Sequence, residues 1–215
     1  MKWGILFDLD GTLLDSLEDL TDSVNYTLAH YGCPPRTLRE IRSFLGNGAL
    51  RLIEMSLPGK DTDPDAKEAL AFYQAYYRGH SNIKTGPYTG ILQTLEELGK
   101  KYPLAIVTNK PHGAAVPLCK AQFGDIYTLG EEPGCPRKPA ADMVHKAMAA
   151  IGADKCVYLG DTEVDVLTAQ NADVPCLTVT WGFREREELL AAGAKYICDD
   201  PSHMPKIIEE IINGK

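Results

Sequence analysis

Two aspartates, Asp8 and Asp10, follow the apolar stretch Ile5-Leu6-Phe7 and directly precede Gly11. Residues i and i+2 of a strand project to the same side, so both carboxylates are expected just beyond a buried strand, where open α/β sheets bind ligands. Two anions in a confined site repel each other, and one is driven toward protonation unless a cation compensates. The pair therefore predicts a bound metal, a general acid, or both.

A second acidic pair, Asp161 and Asp165, follows the apolar run Cys156 to Leu159. This spacing predicts Asp161 at the carboxyl end of another strand and Asp165 one helical turn later. Asp161 could instead cap the following helix, but the ligand role is favoured beside Asp8 and Asp10. Sites built only from oxygen ligands suit hard cations, and Mg²⁺ fits a few carboxylates whose shell is completed by water and a substrate phosphate.

Two further polar segments are candidates for the same crevice. Thr108-Asn109-Lys110 ends the apolar run Leu104 to Val107, so its hydroxyl, amide and backbone N–H groups can face the ligand, although a plain polar strand exit is an alternative. Lys138 precedes a helix expected to start near Ala141. A lysine there places a compact positive charge against phosphate oxygens or carboxylates, although single loop lysines are usually solvated.

Buried strands and amphipathic helices alternate over most of the chain, which predicts an α/β fold. The expected architecture is a Rossmann-like parallel sheet with helices on both faces. Strands are predicted at Gly4 to Leu9, Leu104 to Thr108, Cys156 to Leu159, Cys176 to Val179 and Tyr196 to Cys198. Helices are predicted at Ile91 to Leu98, Gly113 to Gln122, Ala141 to Ala150, Val164 to Ala172, Glu187 to Ala192 and Pro205 to Ile212.

Residues 16–83 interrupt the alternation, since they carry helical patterns without a convincing strand. They predict an all-helical insertion after the first strand, so that residues 1–15 and 84–215 form a discontinuous core. Ser16 and Asp19 have the spacing of a capping box for the first insert helix. The insert helices are predicted at Leu17 to Tyr31, Thr37 to Phe44, Ala49 to Met55 and Asp65 to Arg78.

Composition excludes several classes of protein. The 215 residues are 44% hydrophobic and carry a net charge of −8 without a dense basic run, which argues against nucleic-acid or anionic membrane partners. The six cysteines are scattered without zinc-site spacing and are expected to be free thiols. With no secretory signal and no apolar stretch of membrane-spanning length, the expected location is the cytoplasm. No sequence feature indicates the oligomeric state.

Together these segments resemble, in order, the four motifs of the haloacid dehalogenase-like hydrolase superfamily. The features Asp15-Ser16, Pro87 to Gly90 and Trp181-Gly182 are similar to its phosphoglycolate phosphatase-like branch. Ala140 departs from the pattern, because a second proline often follows Lys138-Pro139 in the family. The four motifs are Asp8 to Thr12, Thr108-Asn109, Lys138-Pro139 and Gly160 to Asp165.

This resemblance implies a Mg²⁺-dependent phosphatase acting on a small, phosphoglycolate-like phosphomonoester, with no nucleic acid or membrane partner. Asp8 would attack phosphorus to form an aspartyl-phosphate, and Asp10 would serve as acid and then base. Thr108 and Lys138 would complete the catalytic set by binding phosphate oxygens. The implied metal site is Asp8, Asp10 through its backbone carbonyl, Asp161 and Asp165, and further phosphate contacts are assigned to Gly11, Thr12 and Asn109.

The resemblance implies that the inserted residues 16–83 are a helical cap domain and places substrate choice there, where Gly46, Asn47, Gly48 and Arg51 are candidate binding residues. For Arg51 a solvated helix position is the favoured interpretation over substrate binding. The identity of the substrate is left open.

Two other functions are compatible with these motifs. One is a phosphomutase of the β-phosphoglucomutase type, although Thr12 favours hydrolysis because mutase relatives often carry valine there. The other is a non-catalytic phosphate-binding regulatory protein, which the complete set of Asp8, Asp10, Lys138 and Asp161 disfavours.

Overall fold

The computed structural model describes residues 1–59 and 63–214. They form two compact units, Met1–Asp15 with Pro87–Lys215 (the core unit) and Ser16–Gly86 (the insert unit). The chain therefore re-enters the core between residues 86 and 87, whereas the sequence predicted the return between 83 and 84. Two short strands, β2 (Leu14–Asp15) and β3 (Gly86–Pro87), pair with each other where the chain leaves and re-enters.

The core unit is built on a six-stranded sheet in the order β5-β4-β1-β6-β7-β8, and every neighbouring pair is parallel. The strands are β1 (Trp3–Phe7), β4 (Leu104–Pro111), β5 (Tyr127–Glu131), β6 (Lys155–Gly160), β7 (Cys176–Val179) and β8 (Tyr196–Cys198). The helices are α5 (Ile91–Gly99), α6 (His112–Phe123), α7 (Asp142–Ile151), α8 (Glu163–Asn171), α9 (Arg186–Ala191) and α10 (Met204–Ile212), with a 3₁₀ turn at Pro201–His203.

Helices cover both faces of this sheet, because alternate strand residues point to opposite sides. Ile5 and Phe7 of β1 pack with apolar residues of α5, α6 and α10. Leu6, between them, packs on the other face with residues of α7 and α8. The predicted α/β fold is confirmed, and β1 is buried on both faces at the centre of the sheet.

Sequence patterns missed one core strand and shortened another. β5 reads Tyr-Thr-Leu-Gly-Glu, which has no continuous apolar run and contains a glycine, so its pairing with β4 rather than its apolar content makes it a strand. β4 continues to Pro111 rather than ending near Thr108, and its residues Thr108, Asn109 and Lys110 are buried. Polar side chains buried in a strand need hydrogen-bond or ion-pair partners, and those of Thr108, Asn109 and Lys110 are described with the candidate active site.

The insert unit contains α1 (Leu17–His30), α2 (Leu38–Phe44), α3 (Gly48–Ser56) and α4 (Ala66–His80) among its described residues. Apolar positions at helical spacing, such as Leu20, Val24 and Leu28 of α1, form its buried side. The rings of Tyr26 on α1 and Tyr76 on α4 stack with centroids 3.8 Å apart. No helix among the described residues is both long and apolar enough to span a membrane.

The predicted capping box at the start of α1 is wrong, because the Ser16 side chain makes no cap hydrogen bond. Asp19, only 3% exposed, instead accepts hydrogen bonds from the backbone N–H groups of Ile83, Lys84 and Thr85 and from the Thr85 hydroxyl, at 2.7–3.1 Å. These consecutive donors outcompete the local cap and join the two ends of the insert unit.

We expect Asp19→Asn to destabilise the insert unit by about 1–3 kcal/mol, since the amide has a single acceptor oxygen for these donors. Hydrogen exchange at residues 83–85 and in α1 measures the change. Asp22→Asn is the matched control, because Asp22 is exposed and its carboxylate pairs with the exposed ammonium of Lys84. Equal protection in the Asp19 variant and the wild type would contradict this role.

The same carboxylate predicts a dependence on pH. Burial alone would raise the pKa of Asp19, but the hydrogen bonds from Thr85, Lys84 and Ile83 hold it below its ordinary value. A lowered folded-state pKa gives stabilisation that is complete above the unfolded value of about 3.9 and is lost as pH falls through the folded value. Protection at residues 83–85 should therefore fall in acid for the wild type and change less for Asp19→Asn.

Candidate active site

Asp8 lies one residue beyond β1, at the carboxyl end of the sheet. Its N–H donates to the Leu159 carbonyl at 2.8 Å, which fixes it against β6. The carboxylate is 10% exposed, and its Oδ1 lies 2.9 Å from the Lys138 ammonium. Burial raises the pKa of Asp8 to about 7 against the opposing charge of Lys138, and the charge of Asp165 acts in the same direction as burial. The charged form of Asp8 therefore depends on nearby cations.

Lys138 is buried between two carboxylates. Besides Asp8, its ammonium lies 2.8 Å from Asp165 Oδ1 and donates to the Tyr158 hydroxyl at 2.9 Å. Burial would lower the pKa of Lys138, but the charges of Asp165 and Asp8 more than offset it and raise the pKa above its ordinary value. Lys138 is thus a fixed cation beside Asp8, not the solvated loop lysine that is the usual alternative.

Asp165 orients the surrounding groups with both of its oxygens. Oδ1 accepts from Lys138 and from the Tyr158 hydroxyl, and Oδ2 accepts from the N–H groups of Asp161 and Thr162 and from the Thr162 hydroxyl. The donor–acceptor distances are 2.8–3.2 Å. Through these five contacts, Asp165 ties the start of α8 to Lys138 and to Tyr158.

Asp161 is fully buried at the end of β6 and is oriented by two donors. The Thr12 hydroxyl donates to its Oδ1 at 2.9 Å, and the Phe183 N–H donates to its Oδ2 at 2.7 Å. Burial, followed by the charges of Asp165 and Asp8, raises the pKa of Asp161 well above its ordinary value. The N-cap residue of α8 is Thr162. Helix capping therefore does not explain the placement of Asp161.

Two glycines make room for the Asp161 carboxylate. A Cβ at Gly11 or at Gly182 would lie less than 3.0 Å from Asp161 side-chain atoms. Gly11 also has a φ of +89°, which side-chain-bearing residues rarely adopt. Backbone from the first motif and from the loop after β7 therefore contacts Asp161 from two sides.

The donor set suits a hard divalent cation. Asp8, Asp161 and Asp165 each have a carboxylate oxygen within 4.8 Å of the others, the one such cluster found among residues 1–59 and 63–214. The raised pKa values of Asp8 and Asp161 express repulsion and lost hydration that a bound cation would relieve. The residues therefore fit the predicted metal, with Asp8 and Asp161 better disposed as direct ligands than the saturated Asp165.

The second aspartate of the first motif has a lysine of its own. The ammonium of Lys110 lies 2.9 and 3.0 Å from the two carboxylate oxygens of Asp10. The Lys110 side chain is 3% exposed, whereas that of Asp10 is 18% exposed. Asp8 and Asp10 are thus held by different cations, Lys138 and Lys110.

A family model for haloacid dehalogenase-like hydrolases matches residues 5–179, which contain all of the carboxylates and lysines described above. The chain belongs to the haloacid dehalogenase-like hydrolase family. The phosphoglycolate phosphatase of Rhodobacter capsulatus is 35% identical over 218 residues, covering 97% of this chain and 98% of the relative. Phosphoglycolate phosphatase 1 of Pseudomonas aeruginosa is 32% identical over 207 residues, covering 91% and 76%. The solved haloacid dehalogenase-like hydrolase of Streptococcus pneumoniae superposes with a TM-score of 0.86 at 30% identity, covering 96% and 98%.

The remaining residues of the family motifs bond mainly within the site. The Asn109 side chain donates to the Lys138 carbonyl and accepts from the Lys138 N–H, at 3.0 and 2.9 Å. The N–H groups of Gly11 and Thr12 donate to Leu14 and Leu9 carbonyls. In this structure Asn109, Gly11 and Thr12 therefore contact the loops that carry Lys138 and Asp161, and their phosphate contacts stay predictions.

Thr108 lies in the core unit, and the four candidate substrate-binding residues lie in the insert unit. Thr108 is buried near the end of β4, where its hydroxyl oxygen accepts from the Lys110 N–H at 3.2 Å. Gly46, Asn47, Gly48 and Arg51 lie at or near the start of α3 in the insert unit. The exposed Arg51 pairs with Glu54 at 3.3 Å. Substrate binding by these four insert residues stays a prediction.

The sequence analysis predicted no role for the side chains of Lys110 and Tyr158, although it placed the segment Thr108-Asn109-Lys110 at the crevice. A signal existed for each: Lys110 directly follows the second motif, and Tyr158 is a hydroxyl-bearing residue in an otherwise apolar strand. A buried tyrosine hydroxyl needs a hydrogen-bond partner, which Asp165 supplies. The sequence could not show these pairings, because Asp10 lies 100 residues from Lys110 and because Asp165, although near Tyr158 in the chain, meets it only after the turn from β6 into α8 is folded.

Proposed function

We propose that this protein is a Mg²⁺-dependent phosphatase that hydrolyses a small phosphomonoester, of the size and charge of phosphoglycolate, through an aspartyl-phosphate on Asp8. The observation that carries the proposal is the buried Asp8 carboxylate, 2.9 Å from the fixed Lys138 cation and beside the buried Asp161. A nucleophilic carboxylate needs such positive charge before it can meet an anionic phosphate. The named phosphoglycolate phosphatase relatives support the substrate class.

In the first step, an Asp8 oxygen attacks phosphorus and the bond from phosphorus to the leaving oxygen breaks. Asp10 donates a proton to that oxygen, so that an alcohol leaves instead of an alkoxide. In this mechanism Lys138 binds phosphoryl oxygens, and its contacts with Asp165 and Tyr158, which hold its ammonium, support that role. The buried Thr108 hydroxyl lies on the neighbouring strand as a further donor.

In the second step, water attacks the phosphorus of the aspartyl-phosphate and the bond to Asp8 breaks, which regenerates the carboxylate. Asp10 takes the proton from this water, and inorganic phosphate is the product. Asp8, Asp161 and the Asp10 backbone carbonyl would hold Mg²⁺, and Asp165 would keep these elements in place. When bound, the cation supplies charge neutralisation between the carboxylates and the phosphate.

The direct test is phosphate release from 2-phosphoglycolate and a panel of small phosphomonoesters, measured with Mg²⁺ and with EDTA. We expect Mg²⁺-dependent release without any added sugar phosphate acceptor. Isomerisation of a sugar phosphate with little phosphate release would indicate a mutase instead. If no member of the panel is hydrolysed with Mg²⁺ present, the proposal is wrong.

Gly182→Ala tests the proposed metal site without replacing any of its ligands. The added methyl group would meet Asp161 and the Gly11 carbonyl at less than 3.0 Å, so it must displace them. Disturbing the support of a metal ligand typically weakens metal affinity by about 10- to 100-fold. We therefore expect the Mg²⁺ concentration for half-maximal activity to rise by at least about 10-fold.

Gly113→Ala is the matched control for this variant, because nothing lies within 4 Å of a Cβ there. Its Mg²⁺ titration should superpose on that of the wild type. An unchanged titration for Gly182→Ala would show that the contact with Asp161 does not govern the metal site.

A further inference from the structure

Lys110 is a buried cation to which the proposed mechanism assigns no role. It lies in the last part of β4, the strand beside β1, two residues beyond Thr108. Only 3% of its side chain is exposed, although lysine is rarely buried without a partner. A buried ammonium of this kind is tolerated when a carboxylate compensates its lost hydration.

The contact with Asp10 restricts the orientation of that carboxylate. One ammonium lies almost equally far, 2.9 and 3.0 Å, from both Asp10 oxygens, so rotating the carboxylate plane or swinging the side chain away would break at least one contact. By contrast, Lys138 contacts Asp8 through Oδ1 at 2.9 Å. The two lysines therefore hold the two aspartates separately, and replacing Lys110 leaves the cation at Asp8 in place.

We propose that Lys110 is a positioning residue that holds the Asp10 carboxylate in the orientation needed for hydrolysis of the aspartyl-phosphate. This inference rests on the proposed function. Once Asp10 has given its proton to the leaving group, it is an anion, and the ion pair with Lys110 fixes its oxygens. Water then attacks phosphorus, its proton passes to Asp10, and the electrons of the broken P–O bond return to Asp8. Lys110 exchanges no proton in either step.

An aryl phosphate separates the two steps. The p-nitrophenolate ion is a stable leaving group that departs without a proton, so phosphorylation of Asp8 by p-nitrophenyl phosphate does not need Asp10. Hydrolysis of the phosphoenzyme still needs a base at the attacking water. A residue that acts by orienting Asp10 must therefore affect the second step with this substrate.

The experiment follows rapid mixing of full-length Lys110→Met with p-nitrophenyl phosphate and Mg²⁺. We expect a burst of nearly one p-nitrophenolate per enzyme, followed by a steady-state rate at least about 10-fold below that of the wild type, as for a partly disabled general base. Acid quenching and mass spectrometry should find phosphate on the peptide containing Asp8. Lys100→Met is the control and should match the wild type, because Lys100 is an exposed lysine whose ammonium pairs with Glu96.

A double-mutant cycle distinguishes positioning from a general loss of structure. If Lys110 acts through Asp10, adding Lys110→Met to Asp10→Asn should change phosphoenzyme hydrolysis by less than about 3-fold, because the two effects are not additive. Lys110→Arg, which keeps a cation at this position, should recover part of the hydrolysis rate. This comparison also holds if Lys110→Met lowers the stability of the protein.

The outcomes separate this inference from the proposed function. An active wild type with an unchanged rate in Lys110→Met, or a slowed rate without a burst, would overturn the role of Lys110 alone. Fully additive effects in the cycle would do the same. No turnover and no phosphoenzyme in the wild type would overturn the proposed function and this role with it.

Discussion

Asp8→Asn is expected to lower turnover of any accepted phosphomonoester by at least about 10³-fold, as loss of a covalent nucleophile does in other enzymes. The amide has nearly the shape of the carboxylate and can still accept from Lys138, so its position at the end of β1 should be kept. What is lost is the anionic oxygen that attacks phosphorus. Steady-state phosphate release with Mg²⁺ is the measurement. Residual activity near the wild-type level would rule out Asp8 as the nucleophile.

The same variant should be at least as stable as the wild type without metal. Burial raises the folded-state pKa of Asp8 to about 7, so ionising this group opposes folding as pH rises from its ordinary value of about 3.9 toward 7. Asparagine has no charge to lose or gain in this range. The stability of Asp8→Asn relative to the wild type should therefore increase between about pH 4 and 7 in EDTA. If Asp8→Asn loses activity but not stability, the loss of activity is due to the missing nucleophile and not to misfolding.

Lys138→Met should have the largest effect on stability. The substitution leaves the buried Asp8 and Asp165 carboxylates without their shared cation, and breaking a buried ion pair in this way costs about 3–5 kcal/mol. Urea unfolding in EDTA at neutral pH measures the loss. Both tryptophans, Trp3 and Trp181, belong to the core unit, so their fluorescence reports the unit that contains the change. Turnover should also fall sharply, because the phosphate loses its fixed cation.

Two comparisons make the Lys138 prediction specific. Lys100→Met removes an exposed cation that pairs with Glu96, and it should change stability by less than about 0.5 kcal/mol. Lowering the pH should reduce the penalty in Lys138→Met, because protonating Asp8 removes one of the two unbalanced charges. A loss below about 1 kcal/mol at neutral pH would mean that water or rearrangement compensates the carboxylates.

Local patterns predicted the parts of this protein that depend on neighbours in sequence. The apolar run before Asp8 and the run before Asp161 each specify a buried strand, and acids placed directly after such strands must lie at one edge of a parallel sheet. The strand β5 and the last part of β4 escaped prediction because they are stabilised by pairing and by polar partners rather than by apolar content. The predicted Ser16 capping box is wrong for the same reason, since the Asp19 carboxylate accepts hydrogen bonds from residues 83–85, which are distant in the sequence, instead of taking part in a local cap.

The sequence by itself determined which residue types gather at the carboxyl edge of the sheet, because strand alternation and chain order require it. Only the tertiary structure decided how they pair: Lys138 with Asp8 and Asp165, and Lys110 with Asp10. These partners lie far apart in the chain, and a buried charge selects its partner by distance in the folded state. Many acidic residues along the sequence could pair with Lys110 or Lys138, but packing decides which carboxylates lie close enough to each buried ammonium.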